Sequence, residues 1–351
     1  MNPPSPAPAT EVSTAGAPPE KGVRRARRQR QVRELGVLLA VVVLIVTTWM
    51  HNPGFLSPQG VRDLFLGATV LSVLAVGQAL VLITKNVDLS VGSVMGLSAF
   101  GTGVLFVTFP GLSVPVAMAA GIGIGVLCGL ANGLLVATVQ VPALVVTLGT
   151  LYAYRGLGHW WADGGQVNAH DMPDAFLYLG RVSVLGVPLP AAIAALVIVV
   201  VGFYLARYRS GRELYAIGSN VEAARLSGIP VGSRVMTAFV VNGASAGLAG
   251  VLFAARYGTV DSTVGFGMEL QVVAAAVVGG VAIAGGVGTV YGAALGAILL
   301  TTITAALPIW QIDQFWHQAV VGALILAAIS LDRLLSLRAA RKLRGGGARG
   351  A

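Results

Sequence analysis

The chain has 351 residues, of which 56% are apolar and only 11% charged, and its mean hydropathy is +0.81. A soluble domain carries about 25% charged residues, so these charges are too few to build a water-facing surface of the required size. The net charge of +9 does not indicate a nucleic-acid partner, because the basic residues sit at the ends of hydrophobic stretches rather than on a polar module. The single cysteine, Cys128, lies inside an apolar block and forms no intrachain disulfide, so the fold does not depend on an oxidising compartment.

Residues 1–20 are rich in Pro, Ala, Ser and Thr and lack apolar periodicity, the signature of disorder. A basic run follows over Lys21–Arg33. The apolar block Leu35–Met50 is a retained first span rather than a signal peptide, since no small-residue cleavage site closes it. Further apolar blocks predict spans at Asp63–Thr84, Ser90–Phe109, Ser113–Thr138, Leu144–Trp161, Leu189–Ala206, Val235–Tyr257, Met268–Ile283, Val287–Leu307 and Gln314–Leu334, ten in all. A hydrocarbon core of ~30 Å needs helical runs of this length, and in lipid the backbone must satisfy itself. A β-barrel would show short alternating segments instead. The predicted fold class is therefore all-α, a polytopic helical bundle. Residues 1–34 form a disordered basic arm, 35–335 the transmembrane domain and 336–351 a basic tail.

With both termini cytoplasmic, 19 of the 23 Lys and Arg fall on the inner side, the asymmetry of the positive-inside rule. The other four, Arg62, Arg155, Arg181 and Arg256, then lie outside or near outer span ends. In the tail, Arg338, Arg341, Lys342 and Arg344 are placed to meet anionic lipid headgroups.

Two interruptions break long apolar stretches: Lys85-Asn86-Val87-Asp88-Leu89-Ser90, and Gly285-Gly286-Val287-Gly288. Each is either a tight hairpin or a piece of a translocation path. Asp88 either caps a helix starting at Leu89 or takes part in gating, and Ser90 and Ser93 are able to cap in the same way. Gln78, Asn132, Thr147 and Asn242 are neutral polar residues within spans, suited to a path lining or to interhelical hydrogen bonds; Asn86 belongs to the same candidate gate. The strip Gly121, Gly123, Gly125, Gly129, Gly133 and the strip Gly288, Gly292, Gly296 read as packing surfaces.

The largest inner loop contains Glu222-Ala223-Ala224-Arg225-Leu226-Ser227-Gly228. Good helix formers, Asn220 as cap, and Gly228 with Pro230 as stops predict a short helix there. The outer loop Ala162–Pro188 carries Asp163, His170, Asp171 and Asp174, with His159 just before it, at spacings that match no metal motif. No phosphate-binding loop Gly-x-x-x-x-Gly-Lys-Ser/Thr occurs, and no nucleophile elbow or triad order is apparent. The sequence therefore offers no ATP site, catalytic residue, cofactor site or metal centre.

Four segments, in order, carry a resemblance: Asn86-Val-Asp-Leu-Ser-Val-Gly-Ser93; Val141-Pro-Ala-Leu-Val-Val-Thr-Leu-Gly-Thr150 with Tyr154-Arg155-Gly156; Gly211 to Asn220 running into Glu222–Ile229; and Ala275-Ala-Val-Val-Gly-Gly280 with Ala284-Gly-Gly-Val-Gly288. They resemble the permease subunits of ATP-binding-cassette importers for monosaccharides, the ribose, xylose, rhamnose and autoinducer-2 group, over roughly residues 60–335. Lys85-Asn86 replaces the small pair usual before Asp-Leu-Ser, and is similar to a variant among autoinducer-2 and rhamnose-type permeases. The resemblance implies alternating-access import of a monosaccharide, rhamnose-like first and autoinducer 2 second, from the inner membrane. It implies an ATP-binding subunit that holds ATP and Mg, an extracytoplasmic sugar-binding protein docking on the outer loop, and a second permease subunit. It implies that Glu222–Gly228 couples to the ATPase. An ion-coupled secondary transporter is the rival reading; it calls for several buried acids, and the spans offer few.

Overall fold

The computed structural model describes residues 20–313 and most of 315–330, and for 20–33 the backbone alone. Helix α1 spans Glu20–His51, α2 Pro58–Ile83, α3 Val91–Thr108, α4 Val114–Ala137, α5 Ala143–Ala162 and α6 Asp174–Arg181. After a two-residue hairpin, β1 Ser183–Val184 and β2 Val187–Pro188, come α7 Leu189–Arg207, α8 Arg209–Ser219, α9 Val221–Leu226, α10 Val231–Tyr257, α11 Met268–Val278 and α12 Val290–Ile309. Among the described residues seven helices are long and apolar enough to cross a membrane: α1 from Glu34, α2, α3, α4, α7, α10 and α12. The all-α polytopic class stands.

α10 is the central helix, packed against α2, α3 and α4. The second half of α2 is buried almost throughout, whereas α4 and α7 turn Leu127, Leu134, Leu196 and Phe203 outward, as lipid-facing helices do. The first glycine strip works as its spacing predicts. A Cβ at Gly125 would collide with the Gly243 carbonyl and one at Gly129 with the Phe239 carbonyl, so α4 and α10 touch backbone to backbone. In the second strip, Gly292 and Gly296 lie in the same way against Gly279 and Ala275.

Contacts define two ends. At one, Thr289 Oγ1 donates to Glu34 Oε1 (2.6 Å), and the Gly286 N–H donates to the Ile83 carbonyl (2.9 Å). At the other, Trp310 Nε1 donates to Thr48 Oγ1 (3.2 Å), Val167 bridges Val260, and Arg62 donates to the Arg181 carbonyl. The first end also carries α8 and α9, and the two sequence interruptions meet there, since Gly285 sits against Lys85 and Gly218.

Several expectations need correction. The arm predicted as disordered over 1–34 is helical from Glu20, because Lys, Arg, Glu and Gln are good helix formers and extend α1; residues 1–19 and the tail 336–351 lie outside the described residues. The predicted span Met268–Ile283 is only the 11-residue helix α11. At 1.5 Å per residue it covers about 16 Å, half a hydrocarbon core, and its chain breaks at Gly279-Gly280. Of the predicted span Gln314–Leu334, residues 318–324 are described as helix. The outer loop contains a helix of its own: α6 is amphipathic and buries Phe176 and Leu177, and Gly180 closes on the Ala255 carbonyl.

Candidate translocation site

Two stretches of non-helical chain turn back into the bundle, each followed by a helix that starts inside it. The first, residues 84–90, leaves α2 at the α8 end and leads into α3. The second, residues 258–267, leaves α10 at the opposite end and leads into α11. Its Val260 lies against Gly103, Val264 against Gly96 and Gly265 against Gly92, so it descends along α3 by about three turns. The first turns of α3 and α11 consequently meet: Gly92 faces both the Gly265 carbonyl and Glu269. Non-helical backbone at this depth is tolerated only where protein or a water-filled cavity satisfies it, and discontinuous helices mark substrate paths in transporters.

The first stretch is tied down by a buried polar network, in which Gln78 Nε2 and Asn242 Oδ1 are left without a partner among the described residues. The backbone N–H and Oγ of Ser90 both donate to Asp88 Oδ1 (2.9 and 2.7 Å), and Asn242 Nδ2 of α10 donates to Asp88 Oδ2 (2.9 Å). Asn242 Nδ2 also lies 3.3 Å from Gln78 Oε1 of α2. Asn132 Nδ2 of α4 donates to Ser90 Oγ (2.8 Å), and the Tyr154 hydroxyl of α5 reaches Asn132 Oδ1 (3.3 Å) and the Cys128 carbonyl (3.1 Å). Thr147 Oγ1 donates to the Val87 carbonyl (3.2 Å), and Ser93 Oγ to the Ser90 carbonyl (2.7 Å). Asn86 turns aside and donates to Thr84 instead.

Seven of the eight predicted path residues, Gln78, Asp88, Ser90, Ser93, Asn132, Thr147 and Asn242, are thus brought together, and all seven are buried. In this conformation they clamp five helices onto the break. Asp88 is not the cap of a helix starting at Leu89: α3 begins at Val91 with Ser90 as its N-cap residue, and Asp88 closes the turn before it.

The second stretch is held differently. Arg155 on α5, only 9% exposed, donates from Nη1 to the Val264 carbonyl (2.8 Å) and lies 5.6 Å from the centre of the Phe266 ring. One turn along α5, His159 Nδ1 is 2.8 Å from Ser262 Oγ. Arg155 therefore does not lie at an outer span end, as the charge count places it; it is drawn into the bundle by the carbonyls that the descending chain leaves unpaired. His159 and His170 are separate, the latter meeting Asp171 (3.2 Å).

Below the bundle, α9 is built as its sequence predicts. Asn220 Oδ1 accepts from the Ala223 N–H (3.0 Å), and Gly228 ends the helix at φ +76°. Ala224 is 4% exposed and faces the protein, whereas Leu226 is 90% exposed. The outward face of the segment is therefore Glu222, Ala223, Arg225, Leu226, Ser227 and Gly228.

Both ends of the loop are braced by Glu213 of α8, which accepts from Arg209 (2.8 Å) and from Arg234 of α10 (2.6 Å). The Arg234 hydrogen bond, opposed by desolvation and reinforced by Arg209, holds the Glu213 carboxyl below the usual glutamate range. Sequence reasoning gave no role to Glu213, Tyr154, Arg155 or Glu269; the motif Tyr154-Arg155-Gly156 was the available signal for two of them and the segment Gly211 to Asn220 for Glu213.

A bundle with broken helices at its centre and a braced knob at one end has the architecture of a transport subunit. The family of branched-chain amino acid transport system permease components matches residues 61–329. The autoinducer 2 import system permease protein of Enterobacter sp. (strain 638) is 40% identical over 301 residues, 86% of each chain. That of Escherichia coli (strain K12 / DH10B) is 38% identical over 315 residues, 89% of this chain and 90% of the relative. No solved structure matches the chain. The chain belongs to this permease family: it is a multi-pass inner-membrane protein, the permease component of an ATP-binding-cassette importer. The resemblance carried by the four motifs is borne out.

Proposed function

We propose that the chain is the membrane path of an ATP-driven importer for a small polyhydroxylated solute, paired with a second permease subunit, two ATP-binding subunits and an extracytoplasmic binding protein. The relatives are permeases for autoinducer 2, which moves that solute ahead of a rhamnose-like sugar as the first candidate. Both termini and α8–α9 face the cytoplasm in this reading, because the basic residues concentrate there. ATP and Mg belong to the partner. The outer loop with α6 receives the binding protein.

The observation that carries the coupling assignment is α9: a capped helix, braced through Glu213 and presenting an uncovered Leu226. An apolar side chain displayed on a rigid polar loop is a contact waiting for a partner. Docked in a cleft of the ATP-binding subunit, α9 transmits the hydrolysis stroke to α10, whose start is bound to the same Glu213.

The test is Leu226→Glu, which keeps the helix and spoils the exposed contact. Uptake and co-purification of the ATP-binding subunit should both be lost while the chain remains inserted. Ala224 is the wrong position for this test, since its inward side chain makes any large replacement a folding defect. Normal uptake by Leu226→Glu at normal expression would remove the coupling role. The purified chain alone should hydrolyse no ATP.

A further inference from the structure

We propose that Arg155, Glu269 and Phe266 form the contact site for the transported solute, and that the site selects a neutral compound carrying adjacent hydroxyl groups. The inference rests on the importer reading above and names the residues at which the solute is met.

Three observations converge. First, polar capacity is left unused: Glu269 Oε2 and Arg155 Nε are both buried without a hydrogen-bond partner among the described residues. Buried polar atoms are nearly always paired, and an acid and a guanidinium left short beside each other within a membrane bundle are costly unless something completes them. Second, Phe266 is 79% exposed although it sits on the chain that descends into the bundle, with the Arg155 guanidinium near its ring. Third, the place is the junction of the two discontinuous helices. Gly92 at the start of α3 leaves room for Glu269 at the start of α11, where a Cβ would come within 2.7 Å of Oε2.

The chemistry fits a sugar-like ligand. A carboxylate accepts two hydrogen bonds from neighbouring hydroxyls, and a guanidinium donates to hydroxyl or ring oxygens in a fixed fork. An aromatic ring covers the apolar C–H face of the same molecule. The present partner of Arg155 Nη1 is the Val264 carbonyl, which belongs to the non-helical chain and not to a helix. Withdrawal of 258–267 from α3 would free that donor for solute, so filling the site and opening the path are one exchange of hydrogen bonds. A solute held by three groups is bound loosely enough to leave again.

The test uses the whole importer in proteoliposomes, with autoinducer 2 and L-rhamnose as probes. In a Cys128→Ala background, Phe266→Cys supplies a single thiol. Its maleimide labelling should slow several-fold with whichever probe is imported and stay unchanged with mannitol, while Leu144→Cys, at the far end of α5, should label at a constant rate. Glu269→Gln should raise KM for the imported probe about tenfold or more, as expected for a lost hydrogen bond to a charged group, with a smaller change in maximal rate, and Glu269→Asp should restore part of it. An equal fall in maximal rate with KM and solute preference unchanged would overturn the site in favour of a purely structural pair. Unprotected Phe266→Cys in an active importer would overturn it as well. A wild-type importer that takes up neither probe would instead overturn the importer reading, and the site with it.

Discussion

The two stretches that turn into the bundle differ in which groups tie them. Around residues 84–90, Asp88 receives three hydrogen bonds, from Ser90 twice and from Asn242, while Gln78 Nε2 and Asn242 Oδ1 have no partner among the described residues. Residues 258–267 are held to α5 by Arg155 and His159, to Val167 by two backbone hydrogen bonds at Val260, and internally by Thr263 on Asp261, with Glu269 Oε2 and Arg155 Nε left short among the described residues. The first set centres on a buried carboxylate bonded through both oxygens to two elements, and such charge-assisted bonds are costly to open; the side-chain bonds from α5 to the second stretch are single ones, to one carbonyl and one hydroxyl. On the proposed importer reading, the first stretch is assigned as the fixed side of the path and the second as the moving side. In the proposed orientation the fixed side faces the ATPase and the moving side faces the delivered solute.

The largest effect that would break this comparison is at Asp88. Asp88→Leu orphans the Ser90 N–H, the Ser90 hydroxyl and an Asn242 donor, each at roughly 1–3 kcal/mol. The variant should fail to accumulate as a folded chain in detergent, and Asp88→Asn should retain much of the wild-type melting temperature. If Asp88→Leu melts as wild type does, the clamp is not a clamp.

On the moving side, Gly96→Ala sharpens the contrast. Alanine gains up to about 1 kcal/mol of helix propensity over glycine, but its Cβ would collide with the Val264 carbonyl, a clash of the kind that costs about 1–3 kcal/mol. The clash wins, and the descending chain is pushed off α3. Thiol labelling of Ser262→Cys in a Cys128→Ala chain should then accelerate with little loss of melting temperature. A cooperative loss of the whole fold would show that 258–267 is as fixed as 84–90.

Much of this arrangement was legible in the sequence, and the missing parts share a cause. Long apolar runs predict ten spans, of which seven are, among the described residues, helices long and apolar enough to cross a membrane, and the glycine spacing predicts a packing face on α4 without naming its partner. The break at Asp88 was visible because an acid interrupts an apolar stretch. The descent of 258–267 was not, because Gly258-Thr-Val-Asp-Ser-Thr-Val-Gly-Phe-Gly267 has the composition of an ordinary loop; only its glycines at positive φ, Gly258, Gly265 and Gly267, betray it. Burial of Ala224 and exposure of Leu226 were equally hidden. A six-residue helix has no periodicity long enough to say which side faces the protein, and the deciding neighbours are distant in sequence.

A smaller effect tests whether the brace beneath the fixed side is electrostatic. The folded carboxyl of Glu213 lies below its unfolded value of 4.5, so its contribution is fully present above that pH and is lost as pH falls through the lower folded value. Limited proteolysis of the α8–α10 loop should be flat from pH 7 to about 5 and rise below about 4. Glu213→Gln should show the raised cleavage at neutral pH and lose the acid step. A profile shared by both chains would assign the step to other carboxylates.

The smallest effect belongs to the pair on α9 itself. Arg225 Nη1 lies 3.1 Å from Glu222 Oε1, three residues apart on one helical face, and both side chains are half or more exposed. Exposed pairs of this kind are worth about 0–1 kcal/mol, because water screens them and two long side chains must be held in one geometry. Arg225→Ala should therefore leave melting temperature unchanged and α9 intact, since the Asn220 cap remains. Its effect on transport separates two pictures of docking. If the partner cleft reads only the apolar tip, Arg225→Ala imports at the wild-type rate and Leu226→Glu does not. If the cleft also reads charge, Arg225→Ala lowers uptake at physiological ionic strength, and added salt lowers wild-type uptake in parallel, because attraction between partly exposed charges weakens as the screening length shortens. Uptake measured for both variants across a salt series decides between an apolar peg and a charged one.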